Sequence, residues 1–180
     1  MDRQLATFIF IRFALGSRQV NSALEGKEKL MGKTLYFLIG PKGSGKTHIG
    51  TYVHENTDIH FLRVEPIWVT LKENENGWQK VIEAINQCFM KHEKVMIENL
   101  GAGEEFNHFL SKLKKKYFTK IIKVKTDLDL CYKRVKQRNN QHHIPVSDDK
   151  VKEYNEIASK VTLSWDLVVD NNGMQHIENI

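Results

Sequence analysis

What this chain has little of narrows its class before any motif is read. It carries only two cysteines in 180 residues, Cys88 and Cys131. Each sits inside a helix-like pattern with no CxxC spacing, which argues for buried thiols in a reducing cytosol over a disulfide framework or a zinc site. The N-terminal apolar stretch from Leu5 to Leu15 is broken by Arg12 and is too short to cross a bilayer, so no membrane partner is expected. No small-x-small cleavage site follows it, which disfavours a signal peptide. Internal repeats and low-complexity tracts are absent, and so is any extreme of charge. A formal net charge of +5 tilts the chain toward anionic partners without the basic excess of a dedicated nucleic-acid binder.

With 41% hydrophobic and 27% charged residues, the chain has the composition of an ordinary soluble domain, and its length suits one hydrophobic core. Residues 1–31 are expected to be an N-terminal extension, either an amphipathic appendage or translation upstream of a start at Met31. Residues 32–180 then form the domain. "TLYFLI" (34–39) is a continuous apolar run ending in glycine and proline, as expected of a central parallel strand buried on both faces. A short helix from Lys46 to about Asn56 follows, then a strand "IHFLRV" (59–64) stopped by Pro66, and a polar loop over 72–78. The helix "WQKVIEAINQCFMKH" presents Val81, Ile82, Ile85, Phe89 and Met90 on one face.

Further along come a strand at 94–101, an amphipathic helix from Glu104, a strand at 120–125 and a helix at 127–138. Thr126, with Asp129 three residues on, resembles a capping box that opens this last helix. A polar segment at 139–149, a helix at 149–160 and a strand at 166–171 complete the alternation. Strands alternating with helices predict an α/β fold, a three-layer sandwich with a five-stranded parallel sheet. Ligands of such sheets gather beyond the carboxyl ends of the strands. There the reading places the glycine-rich loop after residue 39 together with Glu65, Glu98 and Asn171.

That loop carries the strongest motif. Gly40-Pro41-Lys42-Gly43-Ser44-Gly45-Lys46-Thr47 satisfies GxxxxGK[ST] at every fixed position, between a strand and a helix as the motif requires. Glycines let successive N–H groups turn inward, the following helix adds its positive end, Lys46 reaches the β and γ phosphates, and the Thr47 hydroxyl faces Mg²⁺. A glycine-rich turn with a solvated lysine is the plain alternative. Lys42 and Ser44 fill variable positions, where backbone contact with phosphate and solvent exposure are both open.

On this loop, the Arg-x-x-x-Arg pair in "DLDLCYKRVKQRN" and the segment "IPVSDDKVKEYN…SWDLVVDNN", residues 33 to 173 resemble the P-loop kinases of small substrates. The nearest likeness is to the polynucleotide 5′-kinase and seryl-tRNA kinase-like branch. The resemblance implies a P-loop NTPase fold, ATP and Mg²⁺ as cofactors, and a lid at about 139–149. It implies that Arg134 and Arg138 clamp ATP over the transferring phosphoryl, and that Glu65 stands where the family has an acceptor-binding aspartate. Glu98 stands where the family has a metal-orienting aspartate, and Asn171 and Asn172 lie in the adenine-contacting loop. Both glutamates are one methylene longer than the family's residue.

Independent chemistry supports these roles, since an arginine can hold two phosphate oxygens and a spacing of four puts both on one helix face. The alternatives are a solvated basic face with Lys133 and Lys136, strand-end carboxylates facing water, and a plain Asn-Asn-Gly turn. Trp68 and Trp78 are open to lining an acceptor pocket, with core packing the plainer reading for both as for Trp165, and the lysine run from 112 to 120 is open to RNA binding, with a helix C-terminus the plainer reading. The expected activity is transfer of the γ-phosphoryl of a nucleoside triphosphate to a hydroxyl of a small molecule or of an RNA or DNA 5′ end. Lys46, Glu65, Arg134 and Arg138 are its candidate catalytic residues. Two other classes stay open. One is an ATP- or GTP-binding regulatory module, against which stand the absence of an NKxD sequence and of an Asp after four apolar residues. The other is an RNA-binding protein whose loop holds a backbone phosphate.

Overall fold

Residues 32–137 and 146–173 are described by the structure, a computed structural model. The N-terminal extension, Arg138 and most of the expected lid lie outside them. β1 (Thr34–Ile39) is the middle strand, for the reason its sequence suggests. Leu35, Phe37 and Ile39 face one side and Leu38 the other, all of them almost fully buried. Around it the sheet runs β2 (His60–Leu62), β3 (Lys94–Asn99), β1, β4 (Phe118–Lys125), β5 (Leu167–Asp170) in spatial order. All four pairings are parallel. This is the expected α/β architecture with five parallel strands.

On the first face pack α3 (Gly77–Phe89), through Val81, Ile82, Ile85 and Phe89, and α4 (Glu104–Lys114), through Phe106, Phe109, Leu110 and Leu113. The Phe37 ring meets Phe106 and Phe109 edge-on at 6.4 and 6.2 Å, the geometry aromatic quadrupoles prefer. The second face is covered by α1 (Lys46–Asn56), whose Ile49 and Val53 join Leu38, Phe61, Met96, Ile122, Val124 and Val169. α5 (Leu128–Gln137) and α6 (Asp148–Ser159) complete the chain.

Between β2 and α3 lies α2 (Glu65–Val69), one short helix where the sequence suggested only a strand end and a stop. Pro66 explains the difference. It occupies the first turn of α2, where a missing N–H is harmless and a fixed φ favours the helix. Trp68 of α2 meets Trp78 of α3 edge-on at 5.2 Å, and Trp78 Nε1 donates to Glu105 at 3.0 Å. With Trp165, both pack against the first-face core.

Register places the site. Ile39 stands opposite Asn99 on one side and Lys123 on the other, so β1, β3 and β4 reach the same edge together. Beyond that edge the chain turns back through residues 40–45, 100–103, 126–127 and 171–173. The lysines between 112 and 120 sit at the other edge, where β4 begins opposite Thr34. There Lys116 donates to Asn86 and Lys120 pairs with Asp166.

Candidate active site: a glycine-rich loop at the sheet edge

Between β1 and α1 the motif residues wrap into a closed loop. The Gly40 N–H donates to the Asn99 carbonyl at 3.3 Å and the Ser44 N–H to the Pro41 carbonyl at 3.2 Å. Gly43 and Gly45 have φ of 84° and 91°, the left-handed region that only glycine enters without strain. A Cβ on Gly43 would also strike the Cys131 carbonyl, and one on Gly45 the Asn171 side-chain amide. Two glycines of the motif are therefore required both by dihedral and by the approach of other chain segments.

Lys46 opens α1 and is buried, its Nζ donating to the carbonyls of Gly40 at 2.8 Å and Pro41 at 2.7 Å. Burial pushes its pKa from 10.5 down to about 8, with the nearby Glu98 carboxylate opposing the shift. Next to it the Thr47 hydroxyl donates to Glu98 Oε2 at 2.7 Å. The other oxygen, Glu98 Oε1, is buried and has no hydrogen-bond partner among the described residues, and the same holds for Ser44 Oγ. A buried carboxylate oxygen without a donor costs free energy. Its place beside the Thr47 hydroxyl therefore suits a bound cation. No cluster of three or more histidine, cysteine or acidic side chains with metal-holding geometry occurs among the described residues.

The remaining candidates surround the loop at different distances. Glu65, in the first turn of α2, is mostly buried, and its Oε1 lies 3.8 Å from Lys42 Nζ. Arg134 of α5 donates from Nη1 to the Asn171 carbonyl at 3.1 Å, so it reaches the loop after β5. Arg138, its expected companion, lies outside the described residues. Asn171 turns its Nδ2 to the Ser44 carbonyl at 2.8 Å and donates its N–H to Lys125 at 2.8 Å. Thr126 donates from Oγ1 to the same Ser44 carbonyl at 3.2 Å. That bond replaces the capping box suggested for it. α5 begins instead with the Asp127 carbonyl accepting from the Cys131 N–H at 2.9 Å.

One site residue escaped the sequence reading. Asn155 of α6 is buried and accepts from the Lys42 N–H at Oδ1, 2.7 Å away, while its Nδ2 donates to the Lys42 carbonyl at 2.9 Å. A signal existed. Val151, Asn155 and Ala158 are spaced as one buried helix face, and a polar residue on such a face needs a specific partner.

This strand order, loop and helix arrangement define a P-loop kinase-like fold. Comparison with solved structures places it beside particular kinases. A sugar kinase from a Janibacter species superposes with a TM-score of 0.53 at 12% identity, covering 77% of this chain and 85% of that one. Shikimate kinase from Acinetobacter baumannii, solved with shikimate, gives 0.51 at 19% identity over 79% of this chain and 85% of the other. A chain of the Pnkp1/Rnl/Hen1 RNA repair complex gives 0.56 at 10% identity, covering 79% of this chain and 47% of that one. No family model matches the sequence, and no curated protein does. Among the described residues no helix is long and apolar enough to cross a membrane.

Proposed function

We propose that this protein is an ATP- and Mg²⁺-dependent phosphotransferase that moves the γ-phosphoryl to a hydroxyl of a small molecule or of a nucleic-acid end. The observation that carries the reading is the complete phosphate-binding sequence closed into a loop at the carboxyl edge of a parallel sheet. There a buried lysine and a threonine–glutamate pair stand side by side. The kinases named above, similar in fold, support the class of reaction and leave the acceptor open.

In this reading the amides of residues 43–47 and the N-terminus of α1 hold the phosphates, and Lys46 swings from its loop carbonyls to the β and γ oxygens. Thr47 and Glu98 would hold Mg²⁺, whose charge would offset that of the phosphates. Glu65 binds the acceptor hydroxyl and accepts its proton once it lies within hydrogen-bond reach. Arg134, joined by Arg138, stabilises the negative charge of the transferring group. Asn171 braces the loop through Ser44 and lines the nucleotide side.

Transfer of labelled γ-phosphate from ATP to nucleosides, sugars, 5′-hydroxyl RNA and aminoacyl-tRNA tests the reading directly. At least one acceptor should be labelled, and Lys46→Ala should lower that rate by about 100-fold or more. Activity that survives Lys46→Ala would overturn the assignment. Tight Mg-ATP binding with no acceptor labelled would favour a regulatory nucleotide-binding module.

A further inference from the structure

The buried face of α6 contains one residue that the proposed chemistry does not use. Asn155 stands between Val151 and Ala158 on that face, with each of the three 2–3% exposed. A side-chain amide there is unfavourable unless both its ends are paired. Both are, and to the two main-chain groups of one residue, Lys42, 113 positions away. The orientation of the amide follows from chemistry, because the Lys42 N–H needs an acceptor and the Lys42 carbonyl needs a donor. The arrangement is that of a peptide group in a strand pair, supplied by a side chain.

Two consequences reach the site. Lys42 directly precedes Gly43, whose φ of 84° starts the turn that aims the following amides inward. With both main-chain groups of Lys42 engaged by α6, the loop enters that turn from a fixed point. The same anchoring sets where the Lys42 side chain leaves the backbone, and its ammonium lies 3.8 Å from Glu65 with both side chains 16% exposed. One residue on α6 therefore registers the nucleotide side and the acceptor side against each other.

We infer that Asn155 is a positioning residue of the phosphate-binding loop, holding Lys42 so that the loop amides are preorganised for the triphosphate; this rests on the phosphate-binding reading above. Preorganised donors act without reorganisation when the anion arrives, so loss of the clamp should be read in nucleotide affinity. The test titrates the full chain with the non-hydrolysable analogue Mg-AMPPNP by calorimetry and follows thermal unfolding of the same samples. Asn155→Ala should weaken binding by about 10-fold or more. Val151→Ala, on the same face with a side chain that can form no hydrogen bond to Lys42, should lower the melting temperature and leave affinity within about 2-fold.

Asn155→Asp supplies a variant of the same shape. Its carboxylate keeps the bond from the Lys42 N–H but opposes the Lys42 carbonyl, and protonation restores a donor there. Its affinity relative to wild type should therefore recover as pH falls from 8 to 5.5, since burial raises the pKa of such a carboxyl. Equal affinity of wild type and Asn155→Ala would overturn the clamp and leave phosphate binding standing. So would equal losses in Asn155→Ala and Val151→Ala, or no pH-dependent recovery in Asn155→Asp. No heat from a folded wild-type chain would overturn the clamp together with the reading it rests on.

Discussion

At the residue scale, Lys46 concentrates the electrostatics of the site. Burial strips water from its ammonium, and two carbonyls of its own loop only partly replace that water. A fall in pKa from 10.5 to about 8 corresponds to roughly 3 kcal/mol held against the charged form. The sign follows from proton counting. Between pH 8 and 10.5 the unfolded chain holds a proton on this lysine that the folded chain has released, so the Lys46 contribution to stability increases as pH rises through that window. Below pH 8 the penalty is present in full. Urea unfolding across pH 7 to 10.5 should show this rise in wild type and lose it in Lys46→Met. A triphosphate supplies countercharge in place of the water that burial removed and should raise this pKa again. Mg-ATP binding is therefore expected to take up about half a proton near pH 8 and almost none near pH 6.5. Calorimetry in buffers of different ionisation enthalpy measures this uptake; an uptake independent of pH would separate Lys46 from the phosphates.

Elements were legible where one physical rule acted alone. The bounds of β1 and α1 coincide with the sequence reading, because an uninterrupted apolar run and a glycine-rich turn leave no competing structure. α2 was not legible, since Pro66 is both a strand stop and a good first-turn residue and only Trp68 packing on Trp78 decides between them. Asn155 was missed, and Thr126 was read as a helix cap, for a related reason. Each spends its polar group on the glycine-rich loop from a distant part of the chain; a local pattern, such as the buried face of α6, shows that a partner is needed but not which one. The placement of Glu65 and Glu98 beside the loop was legible because they end or follow strands, which ties position along the chain to position in space. α3 offers an element-scale test. Asn76 caps its N-terminus, Oδ1 accepting from the Gln79 N–H at 3.0 Å on an exposed surface. Asn76→Ala should cost about 1 kcal/mol, read as a lower urea midpoint with unchanged slope and unchanged Mg-nucleotide affinity. A loss of affinity would mean that α3 communicates with the site through Trp78 and α2.

At the scale of the molecule, the loop is where distant parts of the chain are tied together. Thr47 binds Glu98 across 51 positions, Lys42 binds Asn155 across 113 and Ser44 binds Asn171 across 127. The loop follows β1 directly and is one hydrogen bond away from β3, α6 and the turn after β5, so a ligand held by it would be coupled to all four. Its binding free energy should therefore resist unfolding of the whole domain rather than of one segment. At a concentration of Mg-ATP 100 times its dissociation constant, the folded state gains about 2.7 kcal/mol. For a domain of this size that corresponds to a rise in melting temperature of roughly 5–11 °C. Differential scanning fluorimetry should show it as a shift of a single transition, absent in Lys46→Ala. A chain that bound RNA through this loop would behave otherwise, shifting with oligonucleotide in the absence of ATP and losing the shift steeply as salt rises. A wild-type melting temperature that Mg-ATP leaves unmoved, in a chain that oligonucleotide stabilises, would transfer the loop from nucleotide chemistry to RNA recognition.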